Sequence, residues 1–231
     1  MNLVLLLPED FVADDRALVR GRRAEHIARV HRAAEGDALV VGVANSRIGT
    51  GTIMRMEKDA VEMRVTLDRD PPAPLPLTLI LALPRPKVLN RVIASATSLG
   101  VKEIRLINAW RVEKSYWKSP KLAEANLREQ CVAGLEQARD TAMPRIALHR
   151  FFREFVEAWS PAGLSLVAHP PALLECPRNV EGPVALAIGP EGGFITEEIA
   201  SFERAGFQAV TIGERVLRVE TAVAALIARL F

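Results

Sequence analysis

Cysteine is scarce in this chain, with only Cys131 and Cys176 among 231 residues. Two thiols so widely separated form neither a metal-ligand spacing nor a disulfide framework, and their scarcity suits a reducing, cytoplasmic setting. Long apolar runs are missing too. The best, Leu77 to Leu83, falls far short of the ~20 residues that a membrane-spanning helix needs. The first residues, Met1 to Leu7, lack a basic start and meet Pro8-Glu9-Asp10 at once, so they read as a first strand and not as a signal peptide. No glycine-rich segment ends in Gly-Lys-Ser/Thr and none follows Gly-x-Gly-x-x-Gly, which excludes a phosphate-cradling P-loop and a dinucleotide fingerprint. Neither sign of charge dominates: 30 basic and 28 acidic side chains leave a formal +2. A nucleic-acid partner would have to be read from local patches.

Proline is concentrated. Asp68-Arg69-Asp70-Pro71-Pro72-Ala73-Pro74-Leu75-Pro76 holds four of the fifteen prolines, and a residue with fixed φ and no N–H makes such a stretch an extended linker. A boundary here divides the chain into residues 1–70 and 74–231. Upstream, strand-like runs dominate at Leu3–Leu7, Asp37–Val43, Ile48–Met56 and Ala60–Leu67, interrupted by one helical stretch at about Arg22–Ala33. Short strands with one helix suggest a small barrel. Downstream, strands at Leu77–Leu83, Glu103–Ile107, Ser165–His169, Val184–Ile188 and Ala209–Ile212 alternate with helices. These helices are expected from Lys87 to Leu99, from a Ser119-Pro120 start, from Thr196 to Gly206, and through Ala222–Leu230. The alternation predicts an α/β domain with a parallel sheet.

Two basic clusters stand out. Arg20, Arg22, Arg23, Arg29 and Arg32 crowd one short stretch with His26 and His31. Arg111, Lys114, Lys118 and Lys121 are interleaved with Trp110, Tyr116 and Trp117. Basic groups beside aromatics suit an RNA backbone with a splayed base; a solvated helix face is the plainer alternative for each cluster.

Two loops carry the chemistry. Ala185-Leu186-Ala187-Ile188-Gly189-Pro190-Glu191-Gly192-Gly193-Phe194 is a buried strand running into a glycine turn, where bare amides and close backbone approach serve a ligand at the carboxyl end of the strand. Ile212-Gly213-Glu214-Arg215-Val216-Leu217-Arg218-Val219-Glu220-Thr221-Ala222 again leads from a strand through a glycine loop into a helix. Taken singly, Arg215 and Arg218 could equally be salt-bridge partners of Glu214 and Glu220.

Together these loops resemble the C-terminal signature of the 16S ribosomal RNA uridine N3-methyltransferase family, a branch of the SPOUT methyltransferases. His26-x-x-x-Val30 with Gly36-Asp37, Ser98-Leu99-Gly100-Val101-x-x-Ile104, and Glu136-Gln137-x-Arg139 with Pro144 extend the resemblance thinly over the rest. The chain departs from it at Ser98, Trp110-Arg111 and Arg85-Pro86-Lys87, all on the side where the resemblance implies the substrate. The resemblance implies a PUA-like RNA-binding β-barrel followed by a trefoil-knotted SPOUT domain. It implies S-adenosylmethionine as methyl donor, 16S ribosomal RNA or the small ribosomal subunit as partner, a homodimer, and no metal. It implies donor contacts at Leu83, His169, Ile188, Gly189, Pro190, Glu191, Gly192, Gly193, Ile212, Gly213, Val216 and Leu217, with Leu186 in the adenine slot. Arg218, then Arg215, would stabilise the deprotonated uracil, and Glu220 is the nearest carboxylate for a general base. Arg139 joins the two basic clusters as an RNA contact. A non-catalytic RNA-binding or assembly protein on the same fold, and a methyltransferase with another RNA target, stay open as alternatives.

Overall fold

The computed structural model describes residues 2–31 and 33–231, with the backbone alone at Val30 and His31. The chain forms two compact units, residues 1–73 with 132–143, and residues 74–131 with 144–231.

The first unit is built on β1 (Val4–Leu6), β2 (Phe11–Ala13), β3 (Arg16–Arg20), β4 (Ala38–Val43), β5 (Ile48–Met56) and β6 (Ala60–Arg69), with the short helix α1 (Arg22–His26) running on into one π-helical turn. The strand order is β1-β4-β5-β6-β3-β2. β1 pairs with β4 in parallel and the other neighbours are antiparallel. This sheet is mixed and open. The expected closed barrel is absent among the described pairings, because the three-residue strands β1 and β2 end the sheet without pairing to each other. β1 is buried on both faces. Val4 and Leu6 pack with Val19, Val41, Val61 and Met63, while Leu3 and Leu5 pack with Ile48, Val132 and Leu135. That double burial explains why Leu3–Leu7 reads as one unbroken apolar run.

The second unit carries β7 (Leu77–Ala82), α2 (Pro86–Ser98), β8 (Glu103–Ile107), the first half of α3 (Glu124–Ala138; its residues from Val132 on belong to the first unit), β9 (Arg145–His149), α4 (Phe152–Glu157), β10 (Leu164–Ala168), β11 (Leu174–Glu175), β12 (Val184–Ile188), α5 (Thr196–Arg204), β13 (Gln208–Thr211) and α6 (Val219–Leu230). Its sheet runs β11-β13-β10-β12-β7-β8-β9, and every neighbouring pair is parallel. β12 is buried along its whole length, as a central strand covered on both faces must be. β2, β3, β9, β11 and α4 were not expected from the sequence. The long helix also starts later than expected: Ser119 Oγ accepts from Lys121 N (3.2 Å) but caps only a 3-10 turn, and α3 begins at Glu124. Thr196 lies inside α5, whose cap position is Ile195. There the Glu198 carboxylate reaches back to accept from Ile195 N at 3.0 Å.

Candidate active site

Strands β10, β12 and β13 end side by side, and the loops leaving them enclose a cleft lined by Ala168 and His169, by Ile188 to Glu191 with Gly193, and by Val210 to Gly213 with Arg215 to Leu217. Val219, Ala222 and Leu226 of α6 close its floor. This is the crevice at the carboxyl ends of parallel strands, beside the point where chain order reverses across the sheet. Size alone does not select it. A hollow between α4 and α5 holds about 760 Å³ against about 100 Å³ here, but helix side chains such as Arg153, Glu157 and Glu197 line it and no strand end reaches it.

Local backbone requirements shape the cleft. Gly193 and Gly213 have φ of +70° and +135°, a region that costs an L side chain strain. The amides of both glycines are already engaged, Gly193 N donating to Pro190 O (2.8 Å) and Gly213 N to Thr211 Oγ1 (3.3 Å). The bare amides expected from the sequence are therefore not these two; the glycines supply chain direction. A Cβ on Gly189 would sit 3.0 Å from Phe194 N and 3.1 Å from Gly193 Cα, so the turn folds back tightly on itself.

Of the twelve donor contacts expected, ten line the cleft. The other two are Leu83, buried at 1% exposure directly after β7, and Gly192. A Cβ on Gly192 would meet Arg111 Cδ at 2.8 Å, and the Arg111 guanidinium donates to Gly192 O. Gly192 thus faces the basic loop after β8. Among the catalytic expectations, Arg215 lines the cleft, while Arg218 is exposed at the cap of α6 and outside the lining. Glu220 accepts from Arg91 at 3.2 Å, so it is occupied as an ion-pair partner. Burial holds the His169 imidazolium pKa below its usual value, with the Glu203 charge opposing, so the ring in the cleft is neutral near pH 7.

The sequence missed Glu198. Only 6% exposed, it accepts from Trp110 N at 2.7 Å as well as from Ile195 N, and so ties the loop after β8 to the start of α5. A carboxylate in the first turn of a helix reads as a dipole partner; nothing local reveals a second, distant donor. Arg85 N adds another tie, donating to Glu191 Oε1 at 3.0 Å.

The basic residues separate by unit. In the second, Arg111, Lys114, Lys118 and Lys121 are exposed on the loop after β8. In the first, Arg20 and Arg139 are exposed, and Arg139 takes a left-handed φ of 55° where α3 ends. Arg29 pairs with Glu25 at 2.8 Å in the open. Arg22 reaches Glu136 at 3.4 Å, whose carboxyl pKa is raised by burial and lowered less by Arg22. Arg23 is corrected to a structural role. Its side chain is 15% exposed and donates to both oxygens of Asp10 (2.6 and 2.7 Å) and to Leu5 O (2.7 Å). Arg32 lies outside the described residues.

The fold and cleft define an α/β domain with a crevice at the carboxyl ends of its parallel strands. The chain belongs to the RNA methyltransferase family, whose domain model matches residues 71–231. It is 32% identical over 236 residues to the ribosomal RNA small subunit methyltransferase E of Treponema pallidum, covering 97% of this chain and 88% of that one. A putative methyltransferase from Legionella pneumophila, solved with the bound cofactor SAM, superposes with a TM-score of 0.78 at 25% identity over 98% of this chain and 95% of that one. The ribosomal RNA small subunit methyltransferase E of Neisseria gonorrhoeae, bound to S-adenosyl methionine, has the same fold, with a TM-score of 0.78 at 24% identity over 99% and 95% of the two chains. Among the described residues, no cluster of three or more His, Cys, Asp or Glu is placed to hold a metal, and no helix is long and apolar enough to cross a membrane.

Proposed function

We propose that this chain methylates N3 of a uridine in 16S ribosomal RNA, using S-adenosylmethionine. The cleft carries the reading. It offers apolar walls at Ile188, Val210, Ile212 and Leu217 for an adenine, and a cation can enter beside a neutral His169. The Legionella relative named for its bound SAM and the Treponema relative named for small-subunit ribosomal RNA support donor and substrate class respectively.

Bound S-adenosylmethionine supplies a methyl carbon activated by its sulfonium sulfur. The protein has to align that carbon with N3 and favour loss of the N3 proton. Arg215, on the cleft wall, is the first choice to stabilise the negative charge that then develops on the uracil ring, with Arg218 second. Glu220 anchors Arg91 in this scheme and is no longer the preferred base. Arg215→Ala should lower single-turnover rate by a hundredfold to a thousandfold, ~2.7–4 kcal/mol of barrier, with donor affinity within a few-fold of normal. A rate that hardly moves would remove Arg215 from the reaction.

The trefoil knot of a SPOUT domain belongs to the same proposal. In its favour, the segment between β10 and β12 is bonded to the end of α6: Val180 N donates to Leu230 O (2.7 Å), and Arg229 donates to Cys176 O and Glu175 (both 2.5 Å). We further assign RNA binding to the PUA-like first unit through Arg20, Arg22, Arg29 and Arg139, a homodimeric state, and a cytoplasmic location. Nucleoside mass spectrometry of 16S ribosomal RNA from cells with and without the protein tests the function. The methylated uridine should vanish in the deletion and return when the gene is restored. Its persistence would reject the assignment.

A further inference from the structure

We infer that Trp110 is a substrate-binding residue whose exposed indole stacks on an unstacked base of the RNA beside the donor cleft. The inference rests on the methyltransferase reading and names a contact that this reading leaves open.

Three aromatic side chains are interleaved with the basic residues after β8, and the structure sorts them. Trp117 donates Nε1–H to Asn108 Oδ1 (2.8 Å), and the Arg150 guanidinium lies 5.7 Å from its ring centroid, covering one face. Tyr116 is half-buried, and its hydroxyl donates to Glu113 at 3.0 Å. Trp110 differs from both. It is 78% exposed, so most of the largest apolar side chain stands in water. Its backbone is nevertheless held firmly, because Trp110 N–H donates to the buried Glu198 carboxylate at 2.7 Å. With the main chain already held, only the two side-chain torsions of the indole remain to be ordered when a flat partner lies on it.

The surroundings name that partner. Arg111, next in the chain, donates to Gly192 O, and Gly192 sits between two residues of the donor cleft, Glu191 and Gly193. Lys114 and Lys118 follow in the same exposed loop, and its acid, Glu113, is engaged by Tyr116 and Ser115. An aromatic face flanked by cations matches a single-stranded nucleic acid, with the base on the ring and the phosphates on the charges. Stacking tolerates any base, so Trp110 would hold and splay the strand while the cleft selects the nucleotide.

The full chain, titrated with a short single-stranded RNA oligonucleotide containing uridine, gives the test. RNA should quench indole fluorescence in the wild type. Trp110→Ala should lose that quenching and bind RNA roughly five- to 160-fold more weakly, the range that removal of one stacked base spans. Trp110→Phe should keep RNA affinity within a few-fold while losing the signal. Donor binding, followed by calorimetry on the same preparations, should be equal in all three and doubles as the check that each is folded. Equal RNA affinity in wild type and Trp110→Ala would overturn the inference. So would light scattering in which that variant loses a self-association the wild type shows while RNA affinity holds, since the indole would then cover a second copy of this chain. Failure of the methyltransferase reading shows separately, as no heat with S-adenosylmethionine and no label passed to RNA, whatever the quenching does.

Discussion

Gly189 and Gly192 lie three residues apart in one turn, yet a methyl group added to each should do different damage. At Gly189 the new Cβ meets backbone, Phe194 N and Gly193 Cα, so the turn lining the cleft must shift. Gly189→Ala should therefore weaken donor binding. At Gly192 it meets the Arg111 side chain, which can swing away at the cost of its bond to Gly192 O. Gly192→Ala should leave donor affinity near normal and impair RNA-dependent turnover. Calorimetry with the donor beside single-turnover methylation separates them, and equal donor loss in both variants would contradict the assignment. His169 makes a pH prediction. Burial sets its pKa below the usual 6.5, so the ring gains its charge only as the pH falls through that lowered value. A protonated ring in the cleft opposes a cationic donor, so affinity should hold above about pH 6.5, the usual imidazole pKa, and decline only as the pH falls below it. His169→Gln should flatten the decline. A slope unchanged by the substitution would place the titrating group elsewhere.

The turn from β1 into β2 and the start of α1 are held together by Arg23, which bridges Asp10 and Leu5 O. Both partners are largely buried, at 15% and 8% side-chain exposure, so loss of one leaves the other charged and uncompensated. Arg23→Ala should cost about 3–5 kcal/mol, against about 0–1 for Arg29→Ala, whose pair with Glu25 is open to water. Urea unfolding resolves that difference, and equal midpoints would refute it. From sequence the two arginines were indistinguishable, because both belong to one basic cluster and the partner of Arg23 lies on a separate turn. Strands show the same limit. β7, β10 and β12 were legible as largely apolar runs bounded by turn residues, since burial on both faces writes itself into composition, and β8 was legible by the alternation of Ile104 and Leu106 with Glu103 and Arg105. β9 and β2 are edge strands with exposed or half-exposed side chains, so their alternation is weak and they escaped notice.

At the scale of the molecule, homodimer formation is open to direct measurement. Light scattering should give about twice the 25.3 kDa of one chain at micromolar concentration, and a mass of one chain would count against the proposed homodimer. The division of the chain was only partly legible. The proline-rich segment before Leu77 is a local stiffness signal, and the units do part between Ala73 and Pro74. Residues 132–143 nevertheless join the first unit, where Val132 and Leu135 pack on Leu3, Leu5 and Ile48. Helical periodicity shows that such side chains share a face and is silent on what that face meets. The parallel α/β character and most residues of the cleft at the strand ends were readable from the amino-acid sequence, because glycine at Gly189, Gly193 and Gly213 answers a local demand for tight or left-handed backbone. That Gly192 faces Arg111, that Glu220 holds Arg91, and that Glu198 fixes the main chain beneath Trp110 emerged with the fold alone. Those pairings join residues some 80 to 130 positions apart, and a contact of that separation depends on strand order, which no short window of sequence encodes.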